Sequence, residues 1–270
     1  MARLVRIDAE LVRRQLARSR GEAAELIEAG RVVLDGVVVS KVARQVSPEQ
    51  SIRLIDDGGP RYVSRGAHKL AGAFDRLGAA APVVAGRRAL DAGASTGGFT
   101  DVLLRRGAAH VVAVDVGYGQ LAWELQQDER VTVVDRTNVR YLDPAAVAPP
   151  PHLVVGDLSF ISLTLVLPAL VKAAAPTADF LLLVKPQFEV GREALGAGGV
   201  VREPAEHARA IRRVAQTAAE LGLASHAVVA SPLPGPRGNI EYFLAMRRGD
   251  ETIDLDAAIA RAVADRPGSR

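Results

Sequence analysis

Residues 88–107 restrict the possible folds more than any other stretch. A short run at Arg88-Ala89-Leu90 reads as a buried strand. Asp91-Ala92-Gly93-Ala94-Ser95-Thr96-Gly97-Gly98-Phe99 is a glycine-rich turn, and a helical run follows to Arg105-Arg106-Gly107. Such a unit cradles a nucleotide, because glycine lets a ligand approach bare backbone and the helix start offers free N–H groups. The dinucleotide fingerprint needs glycines at 93, 95 and 98, but position 95 is Ser. A turn that merely joins a strand to a helix would look the same.

The surrounding residues extend the pattern. Strands are predicted at 88–92, 110–115, 131–134, 153–157, 180–185, 226–230 and 240–246, and helices at 65–77, 98–106, 118–127, 162–174 and 204–221. Alternation of this kind implies an α/β fold: a mostly parallel, Rossmann-like sheet with helices on both faces. The loop between the last two strands, 231–239, is too short for a crossover helix, so these strands must pair antiparallel. Residues 249–270 form a tail with one Ala-rich amphipathic helix.

Residues 1–57 make a separate small α+β unit. Asp8 is placed to cap a helix bearing Leu11, Val12 and Leu16. Ser19 with Glu22 forms a capping box for a second helix bearing Ala23, Leu26 and Ile27, closed by Gly30. Three β-branched segments follow, the first two joined by Asp35-Gly36, a strong hairpin signal. Arg3, Arg6, Arg13, Arg14, Arg18 and Arg20 face only Asp8 and Glu10 in the first twenty residues. That excess suits a nucleic-acid surface, though a solvated arginine face has the same composition. Residues 58–63 form a short linker, preceded by Asp56-Asp57.

Composition narrows the function classes. Of 270 residues, 49% are hydrophobic, enough for a sizeable core, and the net charge is +3. The absence of cysteine excludes disulfides, Cys-based zinc sites and a cysteine nucleophile. No run of about 18 apolar residues exists, and the N-terminus lacks a signal-peptide core. A soluble cytoplasmic protein is expected. The five histidines have no metal spacing, so no metal is expected.

Ligands of a doubly wound sheet bind at the carboxyl ends of its strands. Asp91 closes the first strand and can steady the glycine loop. Asp115, followed by Val116, closes the second, where a carboxylate can accept from two ribose hydroxyls. Asp135, Thr137 and Asn138 follow the third, where a polar side chain can meet an adenine amino group; each is equally well a turn or cap residue. Asp157 ends the fourth strand. Lys185 ends the apolar fifth, Phe180 to Val184, where a lysine must be paired or deprotonated. Glu241 opens the last strand, and Lys69 lies on the helix before the first. Two ordinary salt bridges would account for the four charges equally well. Phe160 can stack on a base, flank a bound ligand or belong to the core. Trp123 is expected in the core. The segment 191–201, with its four glycines, is either a cap over the site or a long connection.

Several motifs carry a family resemblance. The pattern Arg6-x-Asp8, Leu11, Ser19-Arg20-x-x-Ala23-x-x-Leu26-Ile27-x-x-Gly30-x-Val32-x-Leu34-Asp35-Gly36, Lys41 resembles the S-four-type RNA-binding domain. The acidic strand end followed by Gly-x-x-x-Gly-Gly resembles the S-adenosylmethionine (SAM) loop of Rossmann-like methyltransferases. Lys69, Asp157, Lys185 and Glu241 resemble the Lys-Asp-Lys-Glu tetrad of FtsJ-like ribose 2′-O-methyltransferases. Together, over residues 3–247, the chain resembles the TlyA family. That resemblance implies methylation of cytidine 2′-hydroxyls in ribosomal RNA, with SAM as donor. The implied SAM site is Asp91, Gly93, Ser95, Thr96, Gly97, Gly98, Phe99, Asp115, Val116, Asn138, Asp157 and Phe160. The implied RNA contacts are Arg6, Arg13, Arg14, Arg18, Arg20, Lys41 and Arg65. Lys185 then either accepts the hydroxyl proton or only positions the oxygen. The family's linker pattern puts Arg at position 60 and Trp at 62, where this chain has Pro60 and Tyr62. Some family members were first described as haemolysins, so membrane activity is one alternative. An RNA-binding protein with a degenerate methyltransferase fold is another.

Overall fold

The computed structural model describes residues 4–17, 19–55, 61–235, 237–249 and 253–267. Arg3, Arg18 and Pro60 lie outside the described residues. The chain divides into two compact units, Met1–Arg61 and Tyr62–Arg270.

The first unit opens with β1 (Val5–Arg6), α1 (Ile7–Arg13) and α2 (Arg20–Glu28). The Ser19 hydroxyl accepts from Glu22 N at 3.2 Å at the start of α2. Gly30, at φ 69°, ends that helix in the left-handed conformation glycine tolerates. Strands β2 (Val32–Leu34), β3 (Val37–Val38) and β5 (Ile52–Leu54) form a three-stranded sheet in the order β3-β2-β5. Asp35 and Gly36 have φ of 49° and 86°, as a two-residue hairpin turn requires. An unforeseen pairing joins β1 antiparallel to β4 (Gln45–Val46). Ile7, Leu11, Ala23, Ile27, Val32, Leu34, Val39 and Val46 form the core.

Asp8 is not the helix cap expected of it. Arg6 occupies the cap position and Asp8 lies in the first turn. Its carboxylate accepts from Ala9 N at 2.9 Å and from the guanidiniums of Arg6 and Arg20. The sequence signal for a cap and for a buried ion pair is the same acid before an apolar run.

The second unit contains α3 (Gly66–Leu77), β6 (Arg88–Ala92), α4 (Gly98–Arg105), β7 (His110–Val114), α5 (Trp123–Gln126), β8 (Val131–Val134) and β9 (Leu153–Gly156). It continues with α6 (Leu163–Ala173), β10 (Asp179–Val184), α7 (Pro186–Glu189), α8 (Pro204–Glu220), β11 (Leu223–Ala230), β12 (Tyr242–Arg248) and α9 (Leu255–Ala264). The sheet order is β11-β12-β10-β9-β6-β7-β8. Strands β6 to β10 pair in parallel, while β12 runs antiparallel between β10 and β11. Alternate residues of each strand face opposite layers. Leu90, Val112, Val154 and Leu182 pack with α6, α8 and α9. Ala89, Val111, Leu153 and Leu181 pack with α3 and α4. Among the described residues no helix is long and apolar enough to cross a membrane.

One helix is much shorter than its periodicity implied. Instead of 118–127, α5 starts at Trp123 after a turn through 116–120. Leu121 and Leu125 are buried, and Trp123, expected in the core, is 70% exposed. The late start rotates the tryptophan onto the solvent face.

Candidate active site

The glycine loop owes its shape to backbone geometry. Gly93, Ser95 and Gly97 have φ of 83°, 49° and 95°. A Cβ on Gly93 would come 2.9 Å from Asp157 O, so the two strand ends approach each other only because that side chain is missing. Gly97 lies against Leu121 and Leu125, and Gly98 against Ser64 and Ala67. Helix α4 begins at Gly98, and its first-turn amides lack intrahelical partners. Thr96 is exposed at the tip of the loop.

The acidic strand ends take three different roles. Asp115 accepts from Ser95 N at 2.8 Å and Gly117 N at 2.7 Å, tying the glycine loop to the next strand end. Val116, beside it, is exposed. Asp135 accepts from Gly119 N at 2.8 Å. Asp91 is fully buried; Thr100 donates to it at 2.7 Å, and its other oxygen, Oδ1, has no hydrogen-bond partner. Burial pushes this carboxyl up to about 7.

Two implied ligand contacts have structural tasks. Phe99 is buried and stacked on Phe243, with ring centroids 5.9 Å apart. The Asn138 side chain accepts from Arg140 N at 3.0 Å and caps a short 3₁₀ turn. Phe160 is the opposite case. It is 91% exposed with φ 64°, and its ring lies 5.4 Å from that of Phe188.

The four charges of the tetrad come together. Lys69 Nζ donates to Glu241 Oε2 at 2.6 Å and lies 3.6 Å from Asp157 Oδ2. Lys185 Nζ lies 2.6 Å from Asp157 Oδ1 and donates to Ser159 Oγ at 2.8 Å. Register explains the convergence. Val184 pairs with Tyr242 in the antiparallel ladder, so Lys185 and Glu241 are at the same end of the sheet. Leu182 pairs with Gly156 in the parallel one, which brings Asp157 alongside. Lys69, Lys185 and Glu241 are buried, and Asp157 is partly open. Glu241 Oε1 is buried with no hydrogen-bond partner.

Three supports were not anticipated. Ser159 bonds Lys185, although only its place in Asp157-Leu158-Ser159-Phe160 hinted at a task. Glu189, buried and with its carboxyl pushed up by burial, accepts from Ser162 Oγ at 2.5 Å and Leu163 N at 2.7 Å at the start of α6. Asn239 holds the far end of segment 191–201: Val201 N donates to its Oδ1 at 3.0 Å, and its Nδ2 donates to Gly199 O at 3.0 Å.

Four arginines of the first unit are anchored by two carboxylates. Arg6 and Arg20 contact Asp8 at 3.0 and 2.8 Å, with 43% and 60% of their side chains exposed. Arg13 and Arg14 contact Glu10 at 2.6 and 2.7 Å. Arg14 also donates to the carbonyls of Gln50 and Pro48, which gives it an internal stapling role. Lys41 is exposed. In the second unit, Arg65 donates to Pro234 O at 2.7 Å.

Comparison with known proteins agrees with both halves of this picture. The model for the FtsJ-like methyltransferase family matches residues 62–248, and that for the S4 domain matches 5–52. The chain is 57% identical to the 16S/23S rRNA (cytidine-2′-O)-methyltransferase TlyA of Mycobacterium tuberculosis, over 99% of this chain and 100% of that one. It is 35% identical to Hemolysin A of Brachyspira hyodysenteriae, over 83% and 92% of the respective chains. A solved structure from Streptococcus thermophilus with a provisional hemolysin name superposes with a TM-score of 0.74 at 36% identity, covering 97% of this chain and 96% of that one. The chain therefore belongs to the TlyA family of FtsJ-like methyltransferases, with an S4 domain preceding the FtsJ-like one.

Proposed function

We propose that this chain transfers a methyl group from SAM to the 2′-hydroxyl of a cytidine in 16S or 23S ribosomal RNA, acting in the cytoplasm on ribosomal subunits. The observation that carries the proposal is the convergence of Lys69, Asp157, Lys185 and Glu241 at the carboxyl end of the sheet, beside the glycine loop.

The donor set fits SAM. The loop 93–98 offers bare backbone, and each Asp115 oxygen keeps a second lone pair for a ribose hydroxyl beyond the amide it already holds. When bound, SAM supplies an activated methyl on a sulfonium, so alignment rather than bond activation is the protein's main task. Lys185 orients the ribose oxygen and receives its proton. Lys69 and Glu241 hold Asp157 and, through it, Lys185. Phe160, exposed beside Phe188, is placed to stack on a base. Arg6, Arg13, Arg20 and Lys41 supply phosphate contacts from the S4 unit.

The test is transfer of labelled methyl to ribosomal subunits from cells lacking the protein. Lys185→Ala should abolish transfer while calorimetry shows SAM affinity unchanged. Near-wild-type turnover in that variant would remove Lys185 from the mechanism. Undiminished SAM affinity in Asp115→Ala would overturn the ribose assignment.

A further inference from the structure

The two tetrad lysines are held in different ways. Lys69 Nζ makes an aligned hydrogen bond to a carboxylate, Glu241 Oε2, at 2.6 Å. Lys185 Nζ is equally close to Asp157 Oδ1, but that oxygen makes no hydrogen bond, so the contact is one of charge without hydrogen-bond alignment. The directed bond from Lys185 goes to Ser159 Oγ at 2.8 Å. Coulomb attraction fixes distance loosely, whereas a hydrogen bond fixes direction. Ser159 therefore sets where Lys185 Nζ points.

The serine is suited to a second task. A hydroxyl both accepts and donates, unlike any other group bonded to either lysine. Ser159 is exposed while Lys185 is buried, so the hydroxyl connects Nζ to solvent. Its loop is also fixed. Phe160 turns the chain at φ 64°, and Ser162 and Leu163 are tied to Glu189, four residues beyond Lys185. Both ends of the Ser159–Lys185 bond thus belong to one braced structure.

We propose that Ser159 is a positioning residue that aims Lys185 at the ribose oxygen and relays the proton of the reaction to water. The proposal rests on the reading of Lys185 given above. As the O2′–CH3 bond forms, the S–CH3 bond breaks and its electron pair stays on sulfur. Lys185 enters this step as the neutral amine, and as the O2′–H bond breaks its proton goes to the Nζ lone pair. Nζ then gives a proton to Ser159 Oγ as the serine's own proton leaves to water, which restores both groups. Passing the proton to Asp157 instead would neutralise the carboxylate that faces Lys69 at 3.6 Å; the hydroxyl route leaves that carboxylate charged.

The test compares Ser159→Ala, Ser159→Thr and Lys185→Ala in the full chain, with ribosomal subunits from cells lacking the protein as acceptor. For Ser159→Ala we expect kcat to fall by about 10- to 100-fold, within the usual reach of proton-transfer groups. KM for the subunits and the calorimetric affinity for SAM should stay unchanged within about twofold, a split that marks loss of a step rather than of binding. The solvent deuterium isotope effect on kcat should rise, and Ser159→Thr should restore most of the rate. Wild-type kcat in Ser159→Ala, with Lys185→Ala inactive, would overturn the relay alone. A loss that threonine does not restore, with SAM affinity falling in step, would show a merely structural serine and overturn it too. Full activity in Lys185→Ala would instead overturn the underlying assignment of Lys185.

Discussion

Asp8 and Glu10 in one unit and Asp91 in the other are buried carboxylates that behave in opposite ways. In the S4 unit, Asp8 and Glu10 each hold two arginines, and the hydrogen bonds from Arg6 and Arg13 lead in drawing their carboxyls down to about 2. In the methyltransferase unit, Asp91 is buried with hydrogen bonds from Thr100 but no cation, and loss of water pushes it up to about 7. All three acids sit beside apolar runs and look alike in the sequence. What separates them is the partner. A paired acid stabilises its fold as an anion, whereas a bare one resists ionisation and costs stability at neutral pH. The small unit, with its meagre core, leans on its charges, while the large unit tolerates a destabilising one next to its glycine loop. Strongly perturbed groups of this kind gather at functional sites.

The contrast can be broken most forcefully by making Asp8 resemble Asp91. Arg6→Ala with Arg20→Ala leaves a buried carboxylate without its guanidiniums and should destabilise the small unit. Hydrogen exchange should show amides 5–54 losing protection while the large unit keeps its own. For the same reason this double variant is a poor probe of RNA contact, and replacement by lysine, which retains charge, is the better one. The reverse change is Asp91→Asn. It should stabilise the large unit by about 1–2 kcal/mol at pH 8, because one pKa unit is about 1.4 kcal/mol and the amide recovers part of the shift. Below pH 4 the gain should vanish, since Asp91 is then protonated in both states.

Acid titration of the unaltered protein should separate the units further. The depressed pKa values of Asp8 and Glu10 mean that their stabilisation is present above the unfolded values near 4 and is lost as pH falls towards about 2. Asp91, with a raised value, does the reverse: its contribution is present below about 4 and lost as pH rises through about 7. Protection of amides 5–54 should therefore collapse first on acidification. Equal loss in both units would end the comparison. The smallest effect expected is Gly36→Ala. Its φ of 86° strains any side chain although space is free, so about 1 kcal/mol should be lost from the hairpin.

The sequence made some of this legible for identifiable reasons. Lys185 and Glu241 were visible because a charge interrupts an apolar strand, and strand ends are where such sheets bind. The hairpin at Asp35-Gly36 was visible because few residues accept positive φ. Trp123 and Asp8 were not. Helix periodicity does not say at which residue the helix starts, and an acid before a helix either caps it or pairs across it. Ser159 escaped because nothing local marks a serine whose task is set by a lysine 26 residues later.

The place of β12 in the sheet has a consequence for synthesis on the ribosome. The Lys69–Glu241 bond spans 172 residues, nearly the whole methyltransferase unit, and depends on the strand that inserts between β10 and β11. A nascent chain that has emerged only through α7 already contains the glycine loop, Asp115 and Lys185. It lacks the carboxylate that receives Lys69, and the edge of β10 that will take up β12 is still bare. Activity thus waits for the last strand, and until that strand docks the open edge is the part of the growing chain most exposed to pairing with another polypeptide.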